Sequence, residues 1–199
     1  SGLKISVGKI DGTLYGKMVL RDVRFSDPDG LFLAAPVVVV DWWPLSWLSN
    51  RLDIDSLSVA DARLFHVPHF KPSKAKKPLL PDFDIRIMRL AVDRLVVDKA
   101  VSGRSDVMAI AGDADVRSGR AIIDLSARTL HGDDRLVLAL DSRPAENLFD
   151  IDMTVNAPRD GVLAAMAGIK QDANLRIKGD GVWSDWKGSL VATLDQQSA

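Results

Sequence analysis

Pairs of aspartates at i, i+2 spacing are the most frequent chemistry-bearing pattern in this sequence. On a β-strand this spacing puts both carboxylates on one face, where they could hold calcium or act as the acid and base of a glycosidase. The residue between each pair is apolar, so we interpret the aspartate face as the wet face of a sheet. The pairs are Asp53/Asp55, Asp82/Asp84, Asp113/Asp115 and Asp150/Asp152.

The histidines and nucleophile motifs predict no catalytic or metal site. His66 and His69 enclose Pro68 in an HxxH pattern, and two imidazoles can bind zinc. Pro68 prevents a regular helix there, however, and no third ligand is indicated, so we interpret both as histidines at a loop edge, like His131 in its turn. The chain has no cysteine, and it has no GxSxG, Walker or GxGxxG motif. We expect no enzyme, no cofactor and no metal.

Charge and length exclude further classes. The 199 residues carry 26 Lys+Arg against 27 Asp+Glu, a net charge of −1. That balance lacks the basic excess typical of nucleic-acid binding, so no nucleic-acid partner is expected. The longest apolar run, Leu31 to Val40, is far shorter than the ~20 residues of a membrane-spanning helix.

The elements that must position these residues are strands. Glu146 is the only glutamate among the 27 acidic residues, and aspartate favours turns over helix interiors. Apolar and polar residues alternate with period two, most clearly over 149–157. Turn signals divide the chain into fourteen short strands, with separate strands at 52–60 and 62–67 and at 83–91 and 92–99. The alternation predicts an inward apolar set: Ile123, Leu125, Leu136, Leu138, Leu140, Phe149, Ile151, Met153, Val155, Leu175 and Ile177.

Two segments interrupt the strands as short helices, near 43–49 and 160–168. We expect the Trp42/Trp43/Trp47 group to pack in the core or cap the end of a sheet, rather than to anchor the chain at a membrane surface. The recurring lysines and prolines of residues 68–82 predict a flexible loop there, the Lys/Pro-rich loop. This loop divides the chain into an N-terminal β segment, 1–67, and a continuing β segment, 83–199.

Alternation alone leaves the architecture open. A closed sandwich, a barrel and an open curved sheet with an apolar trough all present one apolar face to an interior. Of these, a sandwich is the commoner solution.

The order of several short motifs shifts that choice. A glycine-bounded first hairpin is followed by an L-x-D-V strand with a D-P-x-G turn, a valine-rich strand ending at W-x-P-L, and a strand reading R-L-x-I-x-x-L. This order resembles the periplasmic start of the TamB group in the AsmA-like family of bacterial envelope proteins. The resemblance covers most of the chain outside the Lys/Pro loop. Its residues are Gly8–Gly12, Leu20–Gly30, Val40–Leu45, Arg51–Leu57, Leu140–Pro144, Ala157–Leu163 and Gly179–Gly188.

The resemblance implies a mainly β, elongated and curved, mostly antiparallel sheet, a β-taco with an apolar groove and two short helices. It implies a periplasmic location, with an inner-membrane anchor before the present first residue. The implied partners are phospholipid acyl chains, the outer-membrane barrel TamA, through a part outside this chain, and nascent outer-membrane proteins.

We therefore expect a hydrophobic-groove protein for phospholipid transport between the inner and outer membranes, with a role in outer-membrane protein assembly. About 13 strands in one sheet would give a trough roughly 60 Å long. The alternative is an assembly scaffold that offers open sheet edges to partner strands by β-augmentation, without conducting lipid. An enzyme on a β-scaffold is disfavoured because the alternation turns most carboxylates outward.

Overall fold

The computed structural model describes residues 3–13, 15–69, 83–182 and 185–195. These residues form one open, mostly antiparallel sheet of twelve strands, with short helical segments at its ends. The mainly β, open-sheet prediction is confirmed. The sandwich and barrel alternatives are wrong for the described residues, because every strand belongs to a single unclosed sheet.

Twelve strands and two α-helices make up the regular structure of the described ranges. Two 3-10 turns, Pro44–Ser49 and Pro144–Glu146, join strands. Helix α1 spans Lys99–Ser102 and helix α2 spans Val162–Ala167. The strands are β1 (Lys4–Ser6), β2 (Lys9–Gly12), β3 (Lys17–Asp27), β4 (Gly30–Trp43), β5 (Arg51–Leu64), β6 (Asp84–Val97), β7 (Asp106–Arg117), β8 (Arg120–Thr129), β9 (Arg135–Arg143), β10 (Leu148–Ala157), β11 (Asp172–Asp180) and β12 (Lys187–Asp195).

Strand order in the sheet follows chain order from β3 to β12, and β1 and β2 both pair with the free edge of β3. Among the described strands, only β5 and β6 are parallel, with Leu57 opposite Leu90. A parallel pair requires a crossover, which residues 65–83 supply. Most of the predicted Lys/Pro loop, residues 70–82, lies outside the described residues. Because β5 pairs with β6, one sheet runs through both of the segments that this loop separates.

Local sequence explains the turns. Ser118 and Gly119 both have positive φ, 49° and 75°, the requirement of a type I′ hairpin turn between β7 and β8. In the turn before β4, the Asp27 Oδ1 atom accepts the N–H of Asp29 at 2.8 Å. That local bond is the reason aspartate is favoured at the start of such turns.

The structure has fewer and longer strands than the alternation predicts. Predicted strands at 52–60 and 62–67 form the single strand β5, and those at 83–91 and 92–99 form β6. Register shifts within the β6–β7 pairing explain the error in β6, because a bulge breaks the alternation without ending the strand. Since β1 and β2 share one position, the sheet has eleven positions. It is therefore roughly 48 Å wide across its strands rather than 60 Å.

The core lies on one face of the sheet and extends under the helices. Helices α1 and α2 contact each other at the end of the sheet where β6 and β10 finish, which we call the helical end. Val97 and Val162 are fully buried there. The opposite end, which carries the 3-10 turns, we call the turn end.

Candidate functional site

The aspartate pairs occupy the face opposite the core, as the alternation predicts. Asp53 lies opposite Arg86, and Arg86 lies opposite Asp115. Arginines pair with these carboxylates. Arg51 Nη2 lies 2.6 Å from Asp53 Oδ2, and the Arg117 guanidinium binds the Asp115 carboxylate. These ion pairs on an exposed face fit the solvated outer surface that the sequence predicts. Asp82 lies outside the described residues.

The Arg120 guanidinium adds a bridge across this outer face by binding Asp141 through two hydrogen bonds. The bonds hold the pKa of Asp141 below its ordinary value and raise the pKa of Arg120. Both groups are therefore charged near neutral pH. A carboxylate fixed in this way is poorly suited to proton transfer.

Both HxxH histidines contact the turn between β3 and β4. His66 Nε2 lies 3.1 Å from the buried Asp27 Oδ2, and His69 Nδ1 lies 2.7 Å from Asp29 Oδ2. The ligand atoms of Asp27, Asp29 and His69 lie within 4.8 Å of one another. Asp27 Oδ2 also accepts a hydrogen bond from the backbone N–H of His69 at 2.9 Å. The structure thus brings carboxylate ligands beside His69 that the sequence did not indicate, and the cluster ties the chain after β5 to a hairpin turn.

The cross-strand register assembles a continuous apolar row across the core face. Residues directly opposite in neighbouring strands point to the same face, so the register identifies side-chain rows. The longest, which we call the middle row, crosses ten strands. It consists of Met18, Val40, Leu57, Leu90, Gly112, Leu125, Leu138, Met153, Ile177 and Leu190.

Parallel rows flank the middle row, and together we call them the apolar face. One runs through Trp42, Ile54, Ile87, Ala114, Ile123, Leu140, Ile151, Gly179 and Gly188. The other runs through Val59, Val92, Ile110, Ala127, Leu136, Val155, Leu175 and Ala192.

Ten of the eleven residues of the predicted inward set lie on the apolar face, and Phe149 lies on the same side of the sheet just beyond it. Phe149, opposite Ser142, begins a further row beside Ile151 on the same side of β10. The remaining ten belong to the three rows above. The set was incomplete because it began at Ile123. The structure extends the face through β3–β7, where bulges and the β6 register shifts obscure the alternation.

The apolar face becomes more exposed along the chain. Val40, Ile54 and Val59 are buried, with 7%, 8% and 7% of their surface exposed. Leu138 and Met153, on β9 and β10, are only half-buried. Leu190 on β12 is 66% exposed. The face is therefore most accessible over β8–β12.

Trp186 lies across the apolar face at its β11–β12 end. A Cβ atom on either Gly179 or Gly188, which are paired, would collide with its indole ring. The indole Nε1 donates a hydrogen bond to the Phe149 carbonyl oxygen at 3.0 Å. Trp186 was absent from the predicted set, although two glycines opposite each other on adjacent strands signal such a close approach.

The helical end is held by a buried carboxylate. Asp134, 2% exposed, accepts the N–H of Leu163 in the first turn of α2 at 2.9 Å. Gly161 is required beside it because any Cβ there would collide with the Asp134 carboxylate. This contact joins the β8–β9 loop to the helix that covers one end of the apolar face.

The three tryptophans of the predicted group lie in two environments, the core face and the solvent. Trp42 faces the core and is half-buried, as predicted. Trp43 and Trp47 are 61% and 56% exposed, so core packing is wrong for these two. Trp43 ends β4 and Trp47 lies in the following 3-10 turn, so both are at the turn end.

The arrangement can bury an apolar ligand, because the three rows carry no ionisable side chain. Within the described ranges, no helix has the length and apolar character needed to cross a bilayer. Comparisons of the chain with protein-family models, with curated proteins and with solved structures return no match.

Proposed function

We propose that the apolar face binds phospholipid acyl chains and that the chain conducts phospholipid between the inner and outer bacterial membranes. The observation that carries the proposal is the middle row. Its ten positions are apolar side chains and one glycine, and the row crosses ten neighbouring strands.

The dimensions and accessibility of this row support a conduit over a closed core. Ten strands at ~4.8 Å spacing give a row roughly 43 Å long. The middle row runs perpendicular to the strands. A ligand that lies along this row therefore passes from strand to strand without meeting a polar side chain. Half-buried residues such as Leu138 and Met153 leave apolar surface on which a flexible chain can be buried.

The resemblance to the TamB group adds the setting. It supports a periplasmic location, an anchor in the inner membrane, cooperation with the barrel TamA, and a part in outer-membrane protein assembly. The proposal involves no catalytic residue, cofactor or metal, since acyl chains are held by apolar area alone.

A charge placed in the middle row tests the proposal. We expect wild-type protein purified without detergent to carry near-stoichiometric phospholipid in native mass spectrometry and organic extraction. Leu138→Asp and Met153→Asp should each lose that lipid at least tenfold, because an unpaired carboxylate on an apolar surface disfavours acyl-chain contact.

Matched controls lie one residue away on the same strands. Ala139→Asp and Thr154→Asp place the same charge on the exposed outer face, so both should retain wild-type lipid content. A lipid-free wild-type protein, or middle-row variants that carry as much lipid as these controls, would refute the proposed groove.

A second candidate rests on a different observation, the open edge at β12. Leu190, Val191 and Leu194 are 66%, 58% and 54% exposed there. In the described part of the chain, β12 pairs only with β11. An exposed apolar edge strand is a template for β-augmentation, which favours the alternative of a scaffold for outer-membrane protein strands.

A further inference from the structure

The turn between β4 and β5 carries an exposed apolar cluster at the turn end of the sheet. Trp43, Leu45, Trp47 and Leu48 are 61%, 69%, 56% and 84% exposed. We call these four residues the tryptophan patch. Scattered exposed apolar residues are normal on a protein surface, but a contiguous group containing two tryptophans indicates an interaction site.

Charge is absent from the patch. Residues 42–50 contain no ionisable side chain in a chain of which 27% is charged. Asp41 precedes Trp42 on one side of the patch, and the charged groups on the other side, Arg51 and Asp55, are engaged. Arg51 pairs with Asp53 at 2.6 Å, and Asp55 accepts the Trp43 Nε1–H at 2.7 Å. The patch itself is therefore neutral, and the charged groups lie at its margin.

The backbone holds the patch as a firm projection rather than a loose loop. Ser46 Oγ donates to the Trp43 carbonyl at 2.6 Å and lies 3.1 Å from the Arg51 carbonyl. Asn50 ends the turn in the left-handed conformation, φ 56°. The Trp47 ring packs edge-on against Phe83 at 6.0 Å between centroids. Order of this kind lowers the entropy that would be lost on docking.

The patch is also continuous with the apolar face. Trp42, the residue before it, lies on that face opposite Ile54. Trp42 thus faces the core, and the next residue, Trp43, faces the solvent. An object that contacts the patch comes to lie at the turn-end margin of the apolar face.

We propose that the tryptophan patch docks on the surface of a zwitterionic phospholipid bilayer. Tryptophan concentrates at the membrane interface because its ring is amphipathic, and apolar side chains there need to enter only ~5–10 Å. A neutral, projecting tip suits a bilayer better than a folded protein, whose hot-spot residues fill complementary pockets. Docking deepens the proposed lipid function by bringing the apolar face to a source of lipid, yet it depends on different residues.

Phosphatidylcholine vesicles test the docking. We expect wild-type protein to co-sediment with them, with tryptophan emission shifted to the blue and quenched by brominated acyl chains. The double variant Trp47→Ser/Leu48→Ser should bind at least about tenfold more weakly. The variant loses two large apolar side chains, and 1.4 kcal/mol of lost burial already corresponds to tenfold. Its melting temperature should fall only slightly, because both side chains are more than half exposed and the main packing lost is the surface contact of Trp47 with Phe83.

The control variant Leu31→Ser/Met166→Ser removes two partly exposed apolar side chains, 37% and 39% exposed, at the helical end. It should bind vesicles like the wild type. Failure of the wild type to bind phosphatidylcholine, equal binding by the patch variant, or binding only to anionic vesicles at low salt would overturn the docking proposal.

The two proposals fail separately. Met153→Asp should still bind vesicles while losing its co-purified lipid, and the patch variant should keep that lipid while losing vesicle binding. Vesicle binding that disappears with Met153→Asp and survives in the patch variant would assign the membrane contact to the apolar face and refute the patch.

Discussion

At the residue scale, the best-anchored carboxylate serves the fold rather than chemistry. Asp27 is buried and accepts hydrogen bonds from the backbone N–H groups of His69 and Asp29, and its other contact is the His66 ring. Led by the His69 bond, these contacts lower the pKa of Asp27 to about 2, although burial acts in the opposite direction. The ionised carboxylate thereby fastens the start of the β5–β6 crossover to the β3–β4 turn.

Asp27 should therefore make stability depend on acid pH. Its folded-state pKa is lower than its ordinary value of 3.8, so its contribution is complete above about pH 5 and is lost as the pH falls towards 2. We expect the urea-measured free energy of unfolding of wild type to decrease over this range, and to decrease less steeply in Asp27→Asn. Asp124→Asn, at an exposed outer-face position, should keep the wild-type slope. Equal slopes for wild type and Asp27→Asn would contradict this assignment.

At the element scale, the two edges of the sheet differ in how they are protected. The β3 edge is covered by β1 and β2, whereas β12 is paired on one side only in the described structure. Lys187 and Asp195 stand at its ends, and the apolar residues Leu190 and Val191 occupy its middle. Charged residues or proline in the middle of the strand would discourage edge pairing, and β12 has neither there. Under the scaffold alternative, a partner strand would add at this edge.

Proline substitution tests the scaffold alternative at this edge. Alternate residues of β12 direct their N–H groups away from β11, so prolines scanned over 189–193 include positions that spare the β11 pairing. A spared position is recognised by an unchanged melting temperature. At such a position we expect lost binding of an unfolded outer-membrane protein in a pull-down, with lipid content unchanged. Undiminished capture by every stable proline variant would argue against β-augmentation at β12.

At the scale of the whole molecule, the parallel β5–β6 pair makes one unit of the two sequence segments. The largest buried cluster contains Val38 and Val40 from β4 together with Met108 from β7 and Ala127 from β8. Helix α2 contributes Val162 to the same cluster, although it lies between β10 and β11. Packing on both sides of the crossover is shared, so the segments should unfold together.

A core substitution in one segment should destabilise the other. Val38→Ala removes two buried methyl groups and should reduce the free energy of unfolding by about 2 kcal/mol. Hydrogen exchange measured by mass spectrometry should show equal losses of protection in β4 and β8. Val137→Ala, at a 39% exposed position, should change the free energy of unfolding by no more than about 0.5 kcal/mol. It should leave the protection of β4 and β8 unchanged. Lost protection confined to β4 would indicate two independent units.

The strand-rich character and the two faces of the sheet follow from the order of the residues alone. Alternation is a local property with a period of two. Residues of the predicted inward set, such as Leu138 and Met153, could therefore be assigned to one face without any tertiary information. The turn residues were readable for the same reason, because Ser118-Gly119 and Asp27–Gly30 encode backbone geometry within four residues.

Which strands are neighbours, and what lies on the apolar face, depend on contacts between residues far apart in the chain. The parallel β5–β6 pair depends on contacts across the crossover, and the β6 bulges hide the continuation of the face through β7. Trp186 over Gly179 and Gly188, and the outward turn of Trp43 and Trp47, depend on space left by residues distant in the chain. Periodicity specifies the side to which a residue points, whereas packing between remote segments specifies whether that side is covered or open.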